Sequence, residues 1–187
     1  VGTSPFNFSY GHGFVANSAI TVTQLGVFDN AADGLSRTLS AELWSRNGNR
    51  PARLAELEFT SAQPGTLVES NRFKELDAPL VLSPGDYTIA AHGFGSGEPA
   101  GHQGYGGPGP QFKTLNDGQG AISFADSRLG TSPGSFPPQV GNSSANYYSA
   151  GTFEFNLGAT GDEIITDIES QMHLVNTTAY VRIPFNV

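Results

Sequence analysis

Asp29-Asn30-Ala31-Ala32-Asp33-Gly34 is the stretch of this 187-residue chain whose residue types and spacing best suit ion chemistry. Calcium takes about six to eight oxygens, and loops that supply them space carboxylates at alternate positions ahead of a turn glycine. Asp29 and Asp33 stand at the first and fifth places of such a loop, but the third is Ala31, which has no side-chain oxygen. Two readings follow. Asp29 and Asp33 are a calcium pair, or the segment is a polar hairpin loop whose Asp and Asn bond their own backbone.

A second chemistry is sugar stacking, because aromatic faces bury well against the apolar faces of sugars. Trp44 and Tyr105 are its candidate residues, with Phe94, Phe112, Tyr147 and Tyr148 nearby in loops. Where Leu43 faces inward, Trp44 faces outward and offers its ring. The alternative is that Trp44 covers a sheet edge or packs under a loop.

Other patterns carry less. Gly130-Thr131-Ser132-Pro133-Gly134 matches a nucleophile elbow, which has meaning only between a strand and a helix. Pro133, Pro137 and Pro138 forbid that helix. The histidines are His12, His92, His102 and His173. His92 and His102 flank or lie in one Gly-rich loop, without a zinc-type spacing or an evident third ligand. Glycoside hydrolysis needs two acids across a cleft. Glu154 points out between Phe153 and Phe155, while Glu98, Asp117 and Asp126 sit in or beside loops and pair with nothing in sequence. Sequons at Asn7, Asn142 and Asn176 are near expectation in a chain so rich in Asn, Ser and Thr.

The elements that would position these residues are strands. Apolar and polar residues alternate through Ile20–Thr23, with a change of phase near Gly26 that predicts a bulge. Leu39, Ala41 and Leu43 alternate with Ser40, Glu42 and Trp44, and Ala55, Leu57 and Phe59 with Glu56 and Glu58. Shorter strands are predicted at 80–82, 87–91, 122–124 and 153–157. Leu82-Ser83-Pro84-Gly85-Asp86-Tyr87 reads as a strand end, a Pro-Gly turn and a strand opening on tyrosine. Such a tyrosine buries its ring and sends its hydroxyl to an upstream backbone group, the tyrosine corner of Greek-key sandwiches.

Two long Gly/Pro-rich loops, 93–110 and 131–146, interrupt this rhythm and are expected to share one end of the sandwich. After Leu157 the character changes. Thr160-Gly161-Asp162-Glu163 has capping-box spacing ahead of a short helix to about Gln171, although the same residues also read at period two. Val181, Ile183 and Phe185 share one face of a final strand.

Composition narrows the function. The chain carries 9 Lys plus Arg against 17 acidic residues, a formal net charge of −8. That surface repels phosphate backbones and anionic lipid, so neither nucleic acid nor a membrane surface is an expected partner. No apolar run reaches membrane-spanning length. With no cysteine, disulfides, thiolate catalysis and Cys-ligated zinc are excluded. Thirteen Phe and 37% hydrophobic residues suffice for a packed core. The low charged fraction fits an exported protein, and the start at Val1 without methionine fits either a removed signal peptide or a chain trimmed at its start.

Several stretches together resemble the exported β-sandwich domains of bacterial PEP-CTERM-anchored surface proteins. They are Ile20-Thr21-Val22-Thr23-Gln24-Leu25-Gly26-Val27-Phe28-Asp29, Asp33-Gly34-Leu35, Glu42-Leu43-Trp44-Ser45, Leu82 to Ile89, Phe136-Pro137 and Tyr148 to Phe155. The resemblance runs from Phe14 to Leu157 and implies location and fold, not chemistry. It does not extend past Leu157, where no Pro-Glu-Pro sorting signal with an apolar helix and basic tail follows.

The expected architecture is all-β: an antiparallel sandwich, jelly-roll or Ig-like Greek key, over residues 1–158, with an extension over 159–187. The expected function is a non-catalytic, exported structural or interaction module of the cell surface or extracellular matrix. The final strand bearing Val181, Ile183 and Phe185 either completes the chain's own sheet or pairs with a neighbour's open edge, as in a self-associating filament subunit. A carbohydrate-binding module using Trp44 and Tyr105 on a surface glycan is the alternative. No cofactor other than calcium is implied.

Overall fold

The computed structural model describes residues 2–102, 117–142 and 147–157. Within them the chain is all-β, with antiparallel strands in three sheets. The strands are β1 (Gly2–Ser4), β2 (Ser9–Ala16), β3 (Ile20–Phe28), β4 (Leu39–Ser45), β5 (Ala52–Phe59), β6 (Thr66–Val68) and β7 (Asn71–Leu82). They continue as β8 (Gly85–His92), β9 (Ala100–His102), β10 (Ile122–Gly130), β11 (Gln139–Asn142), β12 (Tyr148–Ser149) and β13 (Gly151–Leu157). A six-stranded sheet, order β11-β10-β2-β8-β4-β5, packs on a four-stranded one, order β13-β3-β7-β6. A small sheet, β1-β9-β12, ties the N-terminal segment to the start of the Gly-rich loop.

The core follows from the alternation. Leu39, Ala41 and Leu43 of β4 are fully buried on the inner face, as are Val22, Leu25 and Val27 of β3 opposite. Phe14 of β2 stacks on Tyr87 in its own sheet and, at 4.8 Å between ring centres, on Phe153 of the other. That one side chain joins both layers. Burying such a ring contributes about 1.5–3 kcal/mol relative to exposure.

The Pro-Gly turn and its tyrosine behave as the sequence predicts. Tyr87 is buried and its hydroxyl donates to the Ser83 carbonyl at 2.8 Å, four residues upstream. Tyr10 makes a second clasp of the same span, donating to the Phe6 carbonyl at 3.2 Å. The predicted bulge in β3 lies earlier than Gly26: register slips between Val22 and Gln24 against β7, and between Glu154 and Phe155 on β13. The inward residues change from Ile20 and Val22 to Leu25 and Val27, so the extra residue has to sit between those pairs. Gly26 does something else. Phe73 and Thr152 close over it, and a Cβ there would lie 2.9 Å from the Phe73 ring.

The turn after β10 folds back over the outer face of the six-stranded sheet, where Ser9 Oγ donates to the Ser132 carbonyl. Ser132 thus sits in a turn, and among the described residues no helix follows it. The predicted helix at 162–171 and the strand carrying Val181, Ile183 and Phe185 lie outside the described residues, as does Tyr105. Among the described residues no helix is long and apolar enough to cross a membrane.

Candidate functional site

Two clusters of charged groups are built into the sandwich. The first is at Asp29, where β3 ends. A single 3-10 turn, Asn30–Ala32, follows, with Ala31 and Ala32 both at positive φ, 71° and 58°. Left-handed backbone at a non-glycine residue costs about 1–2 kcal/mol, so side chains must hold this loop. Asp29 is wholly buried; its Oδ2 accepts from Arg72 Nε at 2.7 Å and from the Gly34 amide at 3.2 Å. Glu98, from the Gly-rich segment, is 1% exposed. Its two oxygens accept from the Asn30 amide at 2.9 Å and the Ser36 amide at 3.1 Å. Burial raises the Glu98 carboxyl above the usual carboxylate range, and the charges of Asp29 and Asp33 push the same way against those two amide bonds.

The place that calcium would take at Asp29 is therefore answered by a guanidinium on Oδ2, while Oδ1 is buried without a hydrogen-bond partner. Asp33 does not join Asp29 and Glu98 in a tight donor cluster. Among the described residues, Glu42, Glu56 and His92 are the group whose ligand atoms all lie within 4.8 Å of one another.

That second cluster occupies the outer face of the six-stranded sheet. Glu42 lies on β4 opposite Glu56 on β5, and His92 ends β8 opposite Ser40, one pleat away. Glu42 is fully buried and accepts from Arg53 Nη1 at 2.7 Å and from the Trp44 indole at 3.3 Å. The same Arg53 nitrogen is 2.9 Å from Glu56. The Glu42 carboxylate raises the Arg53 pKa above its ordinary value, so this guanidinium stays charged. His92 Nε2 stands 3.8 Å from Glu42 Oε1.

Trp44 has little free ring. Arg53 lies 5.7 Å from its centre and Phe136 of the covering turn meets it edge-on at 5.8 Å. It packs under a loop, the less functional of its two expectations. Phe94 and Tyr148 are core residues, both packed on Tyr10, and are not part of an exposed aromatic face. Tyr147 is stacked on His102 at 6.0 Å, so the histidines of the Gly-rich segment serve different neighbours. The four-stranded sheet carries an open hollow of about 470 Å³ lined by Gln24, Thr66, Phe73, Glu75 and Glu154 among others.

Sequence reasoning missed the roles of Glu98, Glu42, Glu56 and His92. A hairpin folded about Asn49 sets Glu42 opposite Glu56, a signal present in the chain. The arrival of β8 beside β4 has no such signal. No family model matches this chain, and no curated protein matches it either.

Proposed function

We propose that the protein is a non-catalytic structural or interaction module, exported to the cell surface or extracellular matrix, that assembles by strand pairing. The observation that carries this is the state of the sheet edges. Among the described residues β5 and β13 are paired on one side only, and β7 beyond Phe73 pairs with β3 alone. Val81 on that open stretch is 65% exposed. Such edges present unpaired donors and acceptors to a further strand. Val181, Ile183 and Phe185, in the chain that continues from β13, have the alternation of a strand able to use them. The buried charges fit the same reading, since Asp29, Glu42 and Glu98 are engaged in holding strands and loops. The glycan alternative asks for an open aromatic face, and Arg53 and Phe136 crowd that of Trp44.

Sedimentation velocity on the full chain over a range of concentrations tests this. Association that Ile183→Lys abolishes supports strand pairing. A strict monomer, or association indifferent to Ile183→Lys and to removal of residues 160–187, refutes it.

A further inference from the structure

Glu42, Glu56 and His92 come from three adjacent strands to one point on the outer face of the sheet. One oxygen from each carboxylate and one imidazole nitrogen lie within 4.8 Å of one another. First-row divalent metals bind such donors at about 2.0–2.2 Å, which sets two donors on one ion about 3–4 Å apart. The 3.8 Å between His92 Nε2 and Glu42 Oε1 falls in that range and is too long for a hydrogen bond. His92 Nε2 is buried with no hydrogen-bond partner, a condition that native interiors seldom leave unanswered.

Charge points the same way. Two carboxylates face one guanidinium, so the group is one positive charge short. A divalent ion in the guanidinium's place would balance both carboxylates. Arg53 Nη1 already takes the shared cation position, 2.7 Å from Glu42 and 2.9 Å from Glu56. Its side chain is 40% exposed and lies over Trp44 at the sheet surface, so it can turn into solvent without opening the core. The imidazole argues against calcium, which takes oxygen ligands, and for zinc or a neighbouring transition metal.

We propose that Glu42, Glu56 and His92 form a binding site for a divalent transition metal, which Arg53 closes as an internal cation when the metal is absent. The ion would bridge β8, β4 and β5, with water completing its shell. This goes beyond the assembly reading and stands independently of it.

Isothermal titration of the full chain with zinc chloride tests the site, with cobalt absorption as a second readout. One zinc per chain is expected, with visible cobalt bands of low-coordinate nitrogen and oxygen ligation. His92→Ala should weaken zinc on the order of tenfold or more, while His102→Ala changes nothing. Arg53→Met removes the competitor and should tighten binding, an effect a purely structural arginine would not give. Should Arg53→Met fail to fold, the wild type and the two histidine variants decide alone. Absence of saturable zinc heat at about millimolar metal, or equal zinc affinity in wild type and His92→Ala, overturns the proposal.

Discussion

Asp29 and Glu42 are both wholly buried carboxylates with one arginine each at 2.7 Å, yet their surroundings differ. Arg72, facing Asp29, is 14% exposed, and Gly34 adds an amide to the same oxygen. Arg53, facing Glu42, is 40% exposed, is shared with Glu56, and has an imidazole beside it. The first pair is enclosed and fixes a strained loop. The second opens to solvent, so its cation can be exchanged. A carboxylate's burial therefore does not fix its role; the accessibility of its partner does.

The largest expected effect tests the enclosed pair. Arg72→Met leaves the buried Asp29 charge with no cation and only the Gly34 amide on it, and loss of one partner of a buried pair costs about 3–5 kcal/mol. Urea unfolding should show that loss. Arg53→Met should cost less, about 1–2 kcal/mol, because solvent screens the site and the Trp44 indole still donates to Glu42. Equal losses in the two variants would abolish the distinction.

Tyr87→Phe keeps the ring and removes the bond to Ser83, for an expected loss of about 1 kcal/mol by the same urea measurement. No change would mean that packing alone holds the corner.

Acid titration sharpens the first region further. Glu98 has a raised carboxyl in the folded state, so the folded chain binds more protons than the unfolded one just above the ordinary value of 4.5. Its contribution to stability is present below that value and is lost as pH rises through the folded pKa. The thermal midpoint of wild type relative to Glu98→Gln should therefore fall as pH rises from about 4.5. A difference that stays flat, or moves in the wild type's favour as pH rises, contradicts the raised carboxyl at Glu98.

The smallest effect concerns calcium. With Arg72 on Asp29, added calcium should leave the wild-type thermal midpoint unchanged, since only an ion that binds the folded state shifts it. A clear rise would return the Asp29 and Asp33 loop to its calcium reading.

Much of the sandwich was legible because period-two alternation sorts side chains between two faces with no knowledge of partners. Leu39, Ala41 and Leu43 turned inward for that reason, and the Pro84-Gly85 turn announced the Tyr87 corner. The β3 bulge was legible in kind but misplaced by a few residues, since a phase change shows only after the alternation resumes at Leu25. Alternation also put Glu42 on the outer face, where exposure is the ordinary expectation for a carboxylate. Its complete burial comes from Trp44, Arg53 and the Phe136 turn, whose meeting is a long-range event.

The sequence by itself determined which face the alternating residues of β4 and β5 take, where the Pro84-Gly85 turn falls, and, with no cysteine, that thiolate chemistry does not belong here. Only the tertiary structure decided that Arg72 would meet Asp29, that Glu98 would brace the Asn30–Ser36 backbone, and that His92 would stand beside Glu42. The physical reason is that pattern is local, whereas strand order and register between β8, β4 and β5 depend on the free energy of the whole packed sheet.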